Sequence, residues 1–322
     1  MLEEKEINSK EIIQYLQQSI VRAFCQRKLY AGALHNNNLS AVLVGNDLTF
    51  DGRLITRMAN SMGISTHSIQ HGYLADDWLQ RYHIVNEFYT FGNVSKAKLD
   101  GQSLTSTKTI TMGAPYLDQF SKETYSKTSV INQFEEKLDI NPNYVLICLS
   151  GPGHLTSHQH YLQILESLFE AINSKPMQQF VIKLHPKEKL SDYENLQFND
   201  CENVIIAGMK NTSGLPNGIF YWLANCRGLI TGNSSTAYEA LLMDKPIISI
   251  DLKNEYPNVE FKQYEAAHCV ANIHELKIAI ENLDKNCRFY KAGRSKLLDD
   301  YFFTCTGSSA SIRIAARIAE EI

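Results

Sequence analysis

Gly228-Leu229-Ile230-Thr231-Gly232-Asn233-Ser234-Ser235-Thr236-Ala237-Tyr238-Glu239-Ala240, with Lys245-Pro246-Ile247-Ile248-Ser249-Ile250 close behind, reads as strand, small-residue turn, helix and strand. Two short apolar runs joined through a helix indicate parallel strands with a crossover. A turn of Gly, Asn and Ser at a helix N-terminus leaves backbone N–H groups and hydroxyls pointing outward, and the helix dipole adds positive potential. Ser234, Ser235 and Thr236 could therefore hold a phosphate without a Lys or Arg. Ser and Thr are also the usual capping residues, and capping alone would account for the segment. A second element, Phe180-Val181-Ile182-Lys183-Leu184-His185-Pro186-Lys187, shifts the balance. It is a buried-type strand that delivers a His and a Pro at its C-terminal end. Lys183 and His185 are two residues apart, share one face of the strand and could make an anion site between them; a loop-entry histidine without a partner and a solvated strand-end lysine are the alternatives.

The same alternation extends in both directions. Upstream, Tyr144 to Leu149 is a strand that runs into Ser150-Gly151-Pro152-Gly153-His154. Gly151 and Gly153 would let a ligand approach the backbone closely, at the carboxyl end of a strand where open α/β sheets bind ligands. Further strands are predicted over 179–184, 203–207, 228–231, 246–250 and 268–271, with helices over 161–174, 220–224 and 236–243. In the first half, a helix is predicted over 8–28 and strands over 40–44, 65–69, 87–91 and 108–112. A second helix opens at Asp51-Gly52-Arg53 and ends at Gly63. The expected organisation is a first Rossmann-like domain over 1–120, a polar linker over 121–143, a second Rossmann-like domain over 144–305 and a terminal helix over 306–322. The first domain starts on a helix and has only about four strands, so it is expected to be shortened or incomplete.

With 322 residues, two domains of ordinary size are expected. A net charge of −4 and the lack of a dense Lys/Arg tract argue against a nucleic-acid partner. No apolar run approaches the ~20 residues that span a bilayer. The acidic start Met1-Leu2-Glu3-Glu4 lacks the apolar core of a signal peptide. The seven cysteines are scattered with no Cys-x-x-Cys pair, and read as buried thiols of a reducing cytoplasm.

Together these motifs resemble a family. A His-Gly turn (His71-Gly72), Gly113-Ala114-Pro115-Tyr116-Leu117-Asp118 at the join, Lys183-x-His185-Pro186, and Ser234-Ser235-Thr236 before a helix with Glu239-Ala240 and Lys245-Pro246 occur in an order similar to GT-B glycosyltransferases. The resemblance is to those that use cytidine nucleotides: CDP-glycerol glycerophosphotransferases, capsule polysaccharide transferases, and bacterial sialyl- and Kdo-transferases with an HP motif. It covers roughly residues 40–320. It implies an α/β fold of two doubly wound parallel-sheet domains facing a cleft. It implies a metal-independent transferase with no cofactor beyond its nucleotide-activated donor. His185 and Pro186 would contact the donor nucleotide and its phosphate. Ser234, Ser235 and Thr236 would hold donor phosphate, and Glu239 would reach a ribose or sugar hydroxyl. His71 would be the base for the acceptor hydroxyl. Sialyltransferase-like members use an acid before Gly instead. Phe50-Asp51-Gly52 matches that pattern only in part, since the first of the doubled acids is missing.

Other readings stay open beside these. Asp51 could be a helix cap, and His71 a turn histidine that donates to backbone. His71 is favoured as base because imidazoles exchange protons near neutral pH. Asp76 and Asp77 read as a solvated pair, and Arg53 and Arg57 as surface charge one helical turn apart. His154, His158 and His160 cluster, but no carboxylate or Cys completes a metal set. Tyr221 and Trp222 lie where a base could stack, with core packing the stronger reading. The leading expectation is a cytoplasmic enzyme of surface-polysaccharide synthesis (capsule, lipopolysaccharide or teichoic-acid-like). It would move a sugar or polyol phosphate from a CMP- or CDP-activated donor to a glycan or lipid-linked acceptor, with peripheral membrane association. Alternatives are a UDP-sugar transferase, an enzyme similar to UDP-GlcNAc 2-epimerase, or a non-catalytic nucleotide-binding subunit.

Overall fold

The computed structural model describes residues 9–72, 74, 78–120, 125, 140, 143–153, 156–207, 218–232, 234–252, 259–303 and 307–322. Asp76, Asp77, His154, Asn233, nearly all of the 121–143 linker and the 213–217 loop lie outside the described residues. The chain divides into two compact units, Met1–Asp118 with Asp300–Ile322, and Gln119–Asp299.

The first unit opens with helix α1 (Ser9–Asn36), followed by β1 (Ala41–Val44), α2 (Phe50–Ser61), β2 (Ser65–Ile69), β3 (Glu87–Thr90), α3 (Asn93–Gln102) and β4 (Lys108–Thr111). All four strands are parallel, in the simple order β1-β2-β3-β4. The helix expected over 8–28 continues to Asn36, because Tyr30, Ala31 and Leu34 extend its inward face. Gly63 ends the α2 turn in the left-handed region, at φ +74°, where glycine avoids the Cβ penalty. Val44, Leu74, Val85, Phe88 and Leu99 form the main apolar core of this unit.

The second unit runs β5 (Val145–Cys148), α4 (His158–Asn173), β6 (Phe180–Lys183), α5 (Leu190–Glu194), β7 (Val204–Ala207), α6 (Ile219–Asn225), β8 (Gly228–Thr231), α7 (Thr236–Leu242), β9 (Ile247–Ile250), α8 (Val259–Gln263), β10 (His268–Val270), α9 (Ile273–Glu281), α10 (Leu283–Phe289) and α11 (Lys291–Tyr301). Its six parallel strands lie in the order β10-β9-β8-β5-β6-β7. The chain moves outward from β5 through β6 to β7, then returns to the other side of β5 at β8. Strands β5, β8 and β9 are buried along their whole length, as expected for a sheet covered on both faces. The core beneath them joins Val145, Ile147, Ile230 and Ile248 to Leu165 and Leu168 of α4 and Leu276 and Ile280 of α9.

A last helix, α12 (Ala310–Glu320), returns to the first unit. Asp118 accepts hydrogen bonds from the N–H groups of Ala310 (2.7 Å) and Ser311 (2.9 Å) at the start of α12. Arg317 reaches Glu87 on β3 (2.5 Å) and also pairs with Glu321. Of the cysteines, Cys148 and Cys226 are the buried thiols that the sequence suggested, whereas Cys25 is exposed on α1.

Candidate functional site

The reversal of strand order between β5 and β8 splays the loops that follow these two strands, and this is where open α/β sheets bind ligands. After β5 the chain turns through Gly151 at φ +67°. A Cβ there would lie 3.0 Å from Glu188 Cγ, so glycine suits both the backbone angle and the close neighbour.

Strand β6 ends at Lys183, and the following turn is organised by Glu188, which the sequence reading overlooked. Glu188 Oε2 accepts the His185 N–H at 2.6 Å. Its Oε1 accepts the hydroxyls of Tyr193 (2.6 Å) and Tyr161 (3.0 Å), both almost wholly buried. His185 Nδ1 accepts the Lys187 N–H at 3.1 Å. That bond makes Nδ1 an acceptor, so in the neutral ring Nε2 carries the proton and remains a donor. Burial lowers the His185 pKa; Lys187 and Lys183 push it further down while Glu188 opposes them. The ring is therefore held neutral at physiological pH, with an N–H to offer.

Across the sheet, Thr231 at the end of β8 donates to the Cys148 carbonyl at 2.7 Å, tying β8 to β5. Ser234 Oγ accepts the Thr236 N–H at 3.3 Å and donates to Thr236 Oγ1 at 3.1 Å. Ser235 sits in the cap position of α7 but makes no side-chain cap bond. Glu239, one turn into α7, has its pKa pushed up to about 7 by burial, with the Lys183 ammonium opposing the rise. Lys183 thus acts electrostatically on both His185 and Glu239. The second unit brings Lys183, His185, Ser234, Ser235, Thr236 and Glu239 to one end of its sheet, on strands and helix starts flanking the switch point.

Below these loops lies a cavity of about 20 Å³ lined by Ser150, Gly151, Thr156, His160, Gly232 and Asp251, among others. It is large enough for roughly one water-sized group. Nδ1 of His160 and Oδ2 of Asp251 are buried without a hydrogen-bond partner, although Lys262 Nζ lies 3.8 Å from that carboxylate oxygen. Trp222 packs edge-on to Tyr144 and is 1% exposed, so it is a core residue. Tyr221 stands edge-on to Tyr125.

In the first unit, His71 is exposed on the turn after β2. Gln70 staples this turn: its Oε1 accepts the Phe91 N–H and its Nε2 donates to the Gly72 carbonyl, both at 2.8 Å. Asn46, after β1, lies 3.5 Å from His71 Nε2. Asp51 lies in the first turn of α2 and pairs with Arg22 of α1 at 2.5 Å. The cap of α2 is Thr49, whose hydroxyl accepts the Gly52 N–H at 3.2 Å. A buried pair escaped the sequence reading here. His83 Nδ1 meets Asp47 Oδ1 at 2.6 Å, and Asp47 Oδ2 accepts the N–H groups of Ile84 and Val85. Burial raises the Asp47 pKa, but His83 and the two N–H donors outweigh it and hold the carboxyl below its ordinary value. With its other nitrogen on Gln80, His83 fastens the 78–85 segment to the β1 loop.

Among the described residues, one group of three metal-type ligands lies within 4.8 Å: His67, Glu87 and Glu321. Arg317 and Lys108 already pair with Glu87, and Arg317 pairs with Glu321. Burial raises the Glu87 pKa, yet Arg317, Lys108 and the other donors around it bring it down to about 2. The group is an ion-pair network that fastens α12 to the sheet.

No family description matches the chain, and no curated relative is similar to it in sequence. Solved structures do match. The UDP-GlcNAc 2-epimerase of Neisseria meningitidis, bound to UDP-GlcNAc, superposes with a TM-score of 0.69 at 17% identity, over 92% of this chain and 81% of that one. A glycosyltransferase from Rickettsia africae gives 0.57 at 12% identity, over 93% and 80%. The wall teichoic acid polymerase TagF, with CDPG, gives 0.55 at 12% identity, over 80% and 68%. Two all-parallel α/β units of four and six strands, matched to these proteins, define a GT-B-like fold. The structural neighbours are nucleotide-sugar epimerases and glycosyltransferases, TagF among them.

Proposed function

We propose that this chain is an enzyme of surface-glycan synthesis that binds a nucleotide-activated donor at the β5/β8 switch point of its second unit. It transfers a sugar or polyol phosphate from a CMP- or CDP-activated donor to a glycan or lipid-linked acceptor. The observation that carries the reading is the convergence of Lys183, a neutral His185 with a free Nε2–H, the Ser234-Ser235-Thr236 segment and Glu239 at one end of a switch-point sheet. In this reading His185 and Lys183 stabilise charge on the departing phosphate. Ser234, Ser235 and Thr236 hold phosphate oxygens, with Pro186 shaping the turn, while Gly151 and Gly153 let the donor approach the backbone. Glu239 accepts a hydroxyl. His71, presented on a stapled turn, is the base for the acceptor hydroxyl. Asp51 is the second candidate, and its pairing with Arg22 favours His71 over it. The work is placed in the cytoplasm, and no metal has a part in it.

A second reading is supported by the epimerase likeness: an enzyme that epimerises a UDP-sugar. Calorimetric titration with CMP, CDP, UDP, GDP and ADP, on the wild type and His185→Ala, separates the two. Binding selective for cytidine nucleotides and lost in the variant supports the transferase. Preference for UDP, with conversion of UDP-GlcNAc in the absence of any acceptor, supports the epimerase. Binding of no nucleotide at all refutes both.

A further inference from the structure

Two buried polar atoms of the second unit share one cavity, and neither has a hydrogen-bond partner among the described residues. Nδ1 of His160, 4% exposed, and Oδ2 of Asp251, 7% exposed, belong to residues that line the space of about 20 Å³ beneath the loops ending β5, β8 and β9. The backbone fixes both positions. His160 stands in the first turn of α4, where its N–H donates to the Ser157 cap hydroxyl at 3.2 Å. Asp251 directly follows β9, and its N–H donates to the Val270 carbonyl at 3.0 Å. The main chain of each residue is held while its side-chain atom stays unmet. Unmet buried polar atoms are costly, and native folds keep few of them. Two on the wall of one cavity point to a ligand group that completes them.

The chemistry of the wall identifies that group. The space holds roughly one water-sized group, so a phosphate is too large for it, and the Asp251 carboxylate would repel an anion. A cation is not called for, because Lys262 Nζ already lies 3.8 Å from Asp251 Oδ2. An apolar group would leave both atoms unmet. One hydroxyl meets both: it donates to the carboxylate oxygen and accepts from the His160 tautomer that carries Nδ1–H. Position links the cavity to the switch point. Gly151, in the turn after β5, and Gly232, directly after β8, both line it, and these two strands flank the reversal of strand order. A Cβ built on Gly232 would meet only the Ile250 carbonyl oxygen, at 3.9 Å, so the glycine keeps the space beside it clear.

We infer that His160 and Asp251 hold one hydroxyl of the sugar or polyol that the donor carries, and so select that group apart from the nucleotide. The inference rests on the nucleotide reading of the second unit and adds to it the recognition of the transferred group. The test is calorimetric titration of the wild type, Asp251→Ala and His160→Leu with CMP, CDP and UDP, and with a CMP-sugar, CDP-glycerol and UDP-GlcNAc. Thermal unfolding without ligand accompanies it. Both variants should bind the bare nucleotide as the wild type does and bind its donor about tenfold or more weakly. Each substitution removes an unmet buried group, so the unliganded melting temperature should hold or rise. A merely structural role gives the opposite pattern, a lower melting temperature with nucleotide and donor weakened alike, and that result overturns the inference. Donor affinities that neither variant changes overturn it too and leave the nucleotide reading standing, as does a wild type that binds nucleotides but none of the three donors. A wild type that binds no nucleotide overturns the nucleotide reading, and the inference falls with it.

Discussion

Replacing Glu188 by Ala tests how the β6 turn is held. Glu188 accepts three hydrogen bonds, from the His185 N–H and from the Tyr161 and Tyr193 hydroxyls. Both phenol rings are essentially inaccessible, at 1% and 0% exposure, and their hydroxyls also hydrogen-bond with each other, so the alanine variant strands at least one buried donor. A stranded donor costs about 1–3 kcal/mol, and adding about 1 kcal/mol for the lost bond to the backbone gives an expected loss of about 2–4 kcal/mol. For a unit of this size that corresponds to a fall in melting temperature of roughly 4–16 °C. Tyr193→Phe removes one donor together with its bond and should cost only about 1 kcal/mol. The chain has two tryptophans, Trp78 and Trp222. In a Trp78→Phe background the buried Trp222 reports on the second unit alone. Urea denaturation followed by its fluorescence gives the numbers directly. A loss below about 1 kcal/mol for Glu188→Ala, or an equal loss for Tyr193→Phe, would refute the claim that this carboxylate organises the turn.

Glu239 has a folded pKa raised to about 7 from an ordinary value near 4.5, so the folded state holds its proton across that window and stability falls as pH rises through it. Glu239→Gln should therefore stabilise the unliganded protein by about 2–3 kcal/mol at pH 8 and by little at pH 5, as read by urea denaturation at the two pH values. Arg317→Met leaves the buried Glu87 carboxylate with Lys108 and the Tyr89 hydroxyl as partners and should cost about 3–5 kcal/mol at pH 7. Because Glu87 has a lowered pKa, its contribution is present above pH 4.5 and lost as pH falls toward 2. The gap between variant and wild type should close over that range in acid titrations followed by circular dichroism. Gly52→Ala puts a Cβ 1.9 Å from the Asn46 carbonyl oxygen, so backbone must move. A loss of at least about 2 kcal/mol is expected, with a displaced His71 resonance in NMR spectra.

The strands were legible because short apolar runs in a parallel sheet are buried on both faces. Val145–Cys148 and Ile247–Ile250 carry that signal in composition alone. Motif order brought out the His185 turn and the Ser234 segment, which the fold places at the same end of one sheet. Residues defined by distant partners were not legible. Glu87 sits in a strand-like run, and nothing nearby explains why a carboxylate is 2% exposed there; the reason is Arg317, 230 positions away. Asp47 and His83 are likewise a pair only in three dimensions. Glu188 was within reach: it stands three residues after His185, a spacing at which a side chain can accept a backbone N–H across a tight turn.

The return of α12 to the first unit has a consequence for how the chain acquires its structure. The Glu87–Arg317 pair closes across the whole of the second unit. On the ribosome, residues 41–111 emerge early and can pair as strands, but the helix that brings Arg317 to Glu87 is made only after the second unit. Domains generally fold as they are synthesised, so the second unit can condense while Glu87 of the first has Lys108 but still lacks Arg317. The final step of biogenesis is then a long-range closure whose entropic cost grows only with the logarithm of the intervening length. Shortening the chain before Arg317 would leave the first unit permanently in its unfinished, protease-sensitive state.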